Sequence, residues 1–116
     1  MASKLEVDKF LKELKVKMNI FGIFIRDERG KNAQAIADLN ITPDQRKEIV
    51  KSLKVKNYSE GPLDEKLYGL LPMWVFGKEV KQQEIYIKIS LGQENSKVIC
   101  ISFHIADYPM NYPFKN

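Results

Sequence analysis

Residues 84–105 read EIYIKISLGQENSKVICISFHI, and the reading of this stretch decides the architecture. Two runs alternate with a period of two, the mark of half-buried β-strands. In the first, Ile85, Ile87, Ile89 and Leu91 share one face and Glu84, Tyr86, Lys88 and Ser90 the other. In the second, Ile99, Ile101, Phe103 and Ile105 share a face, and Val98, Cys100, Ser102 and His104 lie opposite. Gly92–Ser96 is a short polar turn, which makes the pair antiparallel. Directly opposed residues point to the same face, so their numbers sum to an even value. A turn centred on Asn95 sets Tyr86 opposite His104 and Lys88 opposite Ser102. A turn centred on Glu94 sets Tyr86 opposite Ser102 and diagonal to His104. Either register gathers Tyr86, Lys88, Ser102 and His104 into one patch, away from the apolar face.

Working outward, Met73–Val80 reads as a further strand, joined to the first by Lys81–Gln83. Upstream the period changes. Ser3 followed by Glu6 is a capping box, and Val7, Phe10, Leu11 and Leu14 form one helix face, predicting a helix over 4–17. Ile20–Arg26 is a dense apolar run of strand length, ended by Asp27–Gly30. Ala33–Leu39 reads as a short helix. Thr42-Pro43-Asp44-Gln45 starts another, with Ile49, Val50 and Leu53 inward and Lys47, Lys51 and Lys54 outward. Asn57–Pro72 reads as a long loop, and Ala106–Asn116, with Tyr108-Pro109 and Tyr112-Pro113, as an extended tail. The pattern predicts an α+β fold in one domain over 1–116, with N-terminal helices packed on one face of a small antiparallel sheet.

Composition bounds the chemistry. The chain has 116 residues, a formal charge of +4, one His and one Cys. A Cys/His zinc site within one chain is excluded, and a Ser-His-Asp triad has His104 as its sole histidine. No metal site and no cofactor are expected. No apolar run is long enough to span a bilayer, and Met1–Asp8 lacks a signal peptide's apolar core, so the expectation is a soluble, cytoplasmic protein without a membrane partner. Up to Tyr58 the chain carries 13 basic and 8 acidic residues, and beyond it 6 and 7. The basic excess therefore sits on the helices. On any single helix such lysines are usually a solvated face; as a set they suit phosphates.

A strand histidine is most often a hydrogen-bonded structural residue. The company of His104 points further. His moves protons near neutral pH, Lys stabilises charge developing on a phosphate, and Tyr hydrogen-bonds a phosphate or stacks on a base. His104, Tyr86 and Lys88 together suit RNA cleavage by a 2′-hydroxyl attacking its neighbouring phosphate, which needs no metal. Lys56, Tyr58, Lys78 and Ser102 are the candidate RNA-binding residues. Glu84 could orient His104, and Cys100 is expected on the same face. Trp74 and Phe76 share a strand face and read as core.

At these residues a family resemblance appears. Asn57–Leu63 (NYSEGPL), Met73–Lys78 (MWVFGK), Ile85–Ile89 (IYIKI) and Val98–His104 (VICISFH), with the tail from Ser102 to Phe114, resemble the MqsR-like toxins of bacterial type II toxin–antitoxin pairs. The similarity runs from about Met18 onward and is most specific in the last third. It implies a RelE-like fold, metal-independent mRNA endonuclease activity and a cognate antitoxin protein as partner. The family's strand Tyr-x-Lys falls on Tyr86 and Lys88. Its Lys after Ser-Phe falls on His104, a change of residue type. Its central-loop Lys falls on Ser59, with Lys56 or Lys78 as candidates to compensate, and its Gln near the Trp has no counterpart, since Val75 follows Trp74. The other reading of the same residues is a non-catalytic RNA-binding or protein-interaction module.

Overall fold

The computed structural model describes residues 1–115. Ser3 caps helix α1 (Lys4–Phe21) through the predicted box with Glu6, and Thr42 caps α3 (Pro43–Lys51) through the same device with Gln45. Each box satisfies two backbone N–H groups that a helix start leaves open. Between them lie strand β1 (Ile23–Ile25) and helix α2 (Gly30–Leu39). After a single 3₁₀ turn (Val55–Asn57) come β2 (Tyr58–Leu63), β3 (Met73–Val80), β4 (Gln83–Ser90) and β5 (Val98–Ile105). The five strands form one sheet in the order β1-β5-β4-β3-β2, antiparallel except for the parallel β1–β5 pair. The α+β class with helices against a sheet face is as the alternation required.

Three boundaries differ from the sequence pattern. Helix α1 runs on through Phe21, leaving the expected strand 20–26 only its last three apolar residues. Helix α2 begins at Gly30 rather than Ala33. The expected loop 57–72 contains β2, an edge strand whose pairing with β3 is irregular around Gly61-Pro62. Glycine and proline are tolerated there because an edge strand has one unpaired side.

The core fills the space between α1 and the sheet. Val7, Phe10, Leu11, Leu14 and Met18 of α1 are buried, and Phe10 stacks on Trp74 with ring centroids 4.7 Å apart. Ile85, Ile87 and Ile89 are fully buried on the same sheet face. Each such side chain contributes about 1.5–3 kcal/mol relative to exposure. Trp74 and Phe76 pair with Ile89 and Ile87 across β3–β4 and so face the helices, as expected.

The register of β4 and β5 sets Tyr86 opposite His104 and Lys88 opposite Ser102. One residue further a bulge intervenes, and Ile89 pairs with Cys100. An extra residue in one strand reverses alternation beyond it. Val98 and Cys100, expected beside His104, therefore lie buried in the core, while Ile101 turns to the outer face. The buried Asn32 of α2 holds the bulge in place. Its amide nitrogen donates to the carbonyls of Arg26 and Ile101, and its oxygen accepts from Phe103 N–H, all at 2.9 Å. The side chain thereby continues the ladder along β5 where β1 stops.

The tail crosses the outer face of the sheet, from the end of β5 over β4 and β3. Glu84 accepts from Met110 N–H at 3.1 Å and from the Tyr112 hydroxyl at 2.6 Å. Met110 and Tyr112 lie over Gly77, where any side chain would overlap the Tyr112 hydroxyl. Phe114 ends the crossing stacked on Tyr58, centroids 5.4 Å apart.

Replacing Asn32 with Ala removes this partner from the buried Ile101 carbonyl and Phe103 N–H, while the Arg26 carbonyl keeps the Arg29 N–H. At about 1–3 kcal/mol for a buried unsatisfied group, Asn32→Ala is expected to cost about 2–4 kcal/mol in urea unfolding, far more than a truncation at exposed Gln34 of the same helix.

Candidate functional site

The outer face of the sheet carries the predicted patch. Tyr86 and His104, cross-strand neighbours, stack with centroids 5.3 Å apart and planes 16° from parallel. Lys88 Nζ lies 5.9 Å from the Tyr86 ring, and Ser102 sits opposite Lys88. Two residues that the sequence pattern does not single out join them. Arg29, at the start of α2, and Glu60, on β2, border the same cleft of about 480 Å³. Arg29 is steered there by its turn. Asp27 takes a two-pronged ion pair from buried Arg46 at 2.8 and 2.9 Å, which ties the turn to α3.

The electrostatics follow from half-burial between opposite charges. Burial raises the Tyr86 phenol, Glu60 adds to the rise and Arg29 opposes it, so the hydroxyl stays protonated and can donate. Burial lowers the Lys88 ammonium, Arg29 lowers it further and Glu60 opposes, so Lys88 gives up a proton more readily than a solvated lysine. His104 Nδ1 lies 2.9 Å from the Ile105 carbonyl. A carbonyl only accepts, so Nδ1 donates in this bond, and the neutral ring then carries its lone pair on Nε2. Assembled in this way are a proton acceptor, a phenolic donor and two cations, on a concave surface.

Four predicted residues thus meet: Tyr86, Lys88, Ser102 and His104. The others do not. Tyr58 is fully buried, its ring in the core and its hydroxyl donating to the Gly61 carbonyl at 2.6 Å, so it cannot meet RNA. Lys56 and Lys78 border a separate cleft of about 710 Å³ by the end of α3, with Lys54 and Lys115. Lys78 faces the helix side of the sheet and donates to Ser52 Oγ; burial, then Lys54 and Lys56, lower its ammonium. The tail separates the two clefts, Tyr108–Asn111 lining one and Tyr112 the other. Glu84, a candidate partner for His104, is taken up by the tail. Cys100 is no nucleophile: burial pushes its thiol up to about 12.

The loop between β2 and β3 borders the patch from the other side. The Glu65 carboxylate accepts N–H bonds from Leu67 and Leu70 at 2.8 Å and from Tyr68 at 3.0 Å. The Tyr68 ring lies on the Arg26 guanidinium, 4.1 Å from ring centroid to cation.

Among the described residues no three His, Cys, Asp or Glu side chains converge as metal ligands, and no helix is long and apolar enough to cross a membrane. No known protein family, characterised protein or solved structure matches the chain.

The Glu65 network has a pH signature. Backbone N–H bonds, that of Leu70 first, hold the Glu65 carboxyl below its ordinary value of 4.5. A carboxyl depressed in the folded state stabilises fully above its unfolded value, and that contribution is lost as pH falls through the folded value. Amide exchange at Leu67, Tyr68 and Leu70 is therefore expected to lose protection as pH falls below the ordinary carboxylate range while the amides of β4 keep theirs, and Glu65→Gln is expected to remove the pH dependence.

Proposed function

We propose that the chain is a metal-independent mRNA endoribonuclease, the toxin of a type II toxin–antitoxin pair, acting in the cytoplasm and held in check by a cognate antitoxin protein. The observation that carries the reading is the stacked Tyr86–His104 pair flanked by Lys88 and Arg29. His104 Nε2 takes the proton of a 2′-hydroxyl. The 2′-oxygen bonds to the adjacent phosphorus as the bond to the 5′-oxygen breaks, giving a 2′,3′-cyclic phosphate and a 5′-hydroxyl. Lys88, its ammonium lowered by burial and by Arg29, returns a proton to the leaving oxygen. The Tyr86 phenol and Arg29 donate to the non-bridging oxygens, where charge builds. The cations of the second cleft, Lys54, Lys56 and Lys78, hold the backbone further along the strand. That cleft is also what a non-catalytic RNA-binding module would use, and such a module would bind RNA with the same salt dependence but leave it intact.

Incubation with defined RNA in the presence of a chelator separates the two readings. Cleavage to cyclic-phosphate ends is expected, with His104→Ala lowering the rate about 10²–10⁴-fold and Tyr86→Phe lowering it by less. A full rate in His104→Ala would remove the site. Expression is expected to arrest growth, and coexpression of the partner to relieve it.

Lys88 also makes a prediction about stability. Its charged form is disfavoured on folding, so Lys88→Met is expected to keep or raise the urea midpoint while abolishing cleavage.

A further inference from the structure

The outer face holds a second concavity beside the catalytic patch. It lies between the Glu65-ordered loop and the sheet, encloses about 480 Å³, and shares Arg29 and Lys88 with the patch cleft. Its character differs from that of the patch. Met73 and Ile101 offer apolar surface, and Tyr68 and Arg26 form a stacked pair at 4.1 Å. Tyr68 is nonetheless 57% exposed, so its ring keeps surface open to a further flat group. Of the concavity's three lining carboxylates, Glu28 is committed to the Arg26 guanidinium at 2.8 Å and Glu65 to the loop's own N–H groups, and Asp64 stands beside the lining cations.

We propose that this concavity is a nucleobase pocket, which receives the base next to a phosphate held by Arg29 and Lys88 and so sets which step of an RNA strand is cut. The inference rests on the RNA reading above and adds to it a specificity subsite with Tyr68 as its stacking platform. Three physical points support it. An aromatic ring backed by a guanidinium is a face that any base can stack on. Leu67, Met73 and Ile101 give the cavity an apolar wall for a base's ring, and the charged side chains around it offer partners for the base's polar edge. The two shared cations join the pocket to the patch at the place where a nucleotide's phosphate must lie if its base is in the pocket. The bulge has a part in this, because without the reversal at Ile101 that side chain would face the core and the wall would be missing.

The full chain, labelled at its methionine and isoleucine methyl groups and at the His104 ring, can be titrated by NMR with the four 3′-mononucleotides and with inorganic phosphate. At least one nucleotide is expected to shift the Met73 and Ile101 methyls together with His104, whereas inorganic phosphate shifts His104 alone. Tyr68→Ala is expected to weaken that nucleotide about tenfold or more without changing phosphate affinity, and Tyr68→Phe to retain it. Nucleotides that move His104 but neither methyl would overturn the pocket and leave the RNA site standing. Unchanged nucleotide affinity in Tyr68→Ala would also overturn it. If neither phosphate nor any nucleotide moves any of these signals, both readings fall.

Discussion

The Asn32 side chain is the constraint on which the outer face depends. Strand β1 is only three residues long and pairs with β5 no further than Cys100. Beyond it β5 would present an open edge beside a helix. A single primary amide closes that edge, giving two donors to carbonyls and one acceptor to an N–H. An apolar residue of equal size would leave the Ile101 carbonyl and the Phe103 N–H buried without this partner and the Arg26 carbonyl with the Arg29 N–H alone, and a helix residue pointing elsewhere would leave the bulge without a fixed position. The placement of the bulge then decides which β5 side chains face outward, and hence that Ser102 and His104 stand beside Lys88 and Tyr86 with Ile101 next to them. A polar residue buried in a helix thus fixes the composition of a surface some residues away.

The two faces of the sheet answer to different physics. The helix face is held by apolar burial and aromatic stacking, with Phe10 between Trp74 and Phe76. The outer face is covered in pieces, by the Glu65 loop on one side and the tail on the other. In each cover one carboxylate accepts several hydrogen bonds, Glu65 in the loop and Glu84 in the tail, and a ring contact adds to it, Tyr68 on Arg26 and Phe114 on Tyr58. Between the covers a strip of sheet stays open, and there Tyr86 and Lys88 are buried enough to be perturbed yet open enough to meet a ligand.

Much of this was legible in the sequence, and the parts that were not share a cause. Strict alternation in 84–90 and the short polar turn narrowed the pairing to two registers, because parity leaves few, and the structure adopts the one with Tyr86 opposite His104 and Lys88 opposite Ser102. Both capping boxes were readable, because their signals lie within four residues of each other. The bulge was invisible: Val98-Ile99-Cys100-Ile101 is apolar at every position, so the run reads equally well in either phase. Strand β2 was hidden by Gly61-Pro62, which is a breaker everywhere except at an irregular edge. Tyr58 was misplaced for the same reason, since a residue assigned to a loop is not expected at the centre of a core. Arg29 and Glu60 reach the site through tertiary placement alone, and no local pattern marks them. Where the signal was local or periodic it survived folding, and where it depended on which distant edge needed a partner it did not.

Gly77 shows how tightly two distant stretches of this chain must change together. It has no side chain because the Tyr112 hydroxyl and the Met110 sulfur occupy that space, and Tyr112 reaches Glu84 only by lying there. The three positions form one unit in the landscape of allowed sequences. A side chain at 77 would overlap both the Tyr112 hydroxyl and the Met110 sulfur, so it is compatible with this packing only where both give way. Such coupling links a strand in the middle of the chain to its tail and narrows the order in which either can drift.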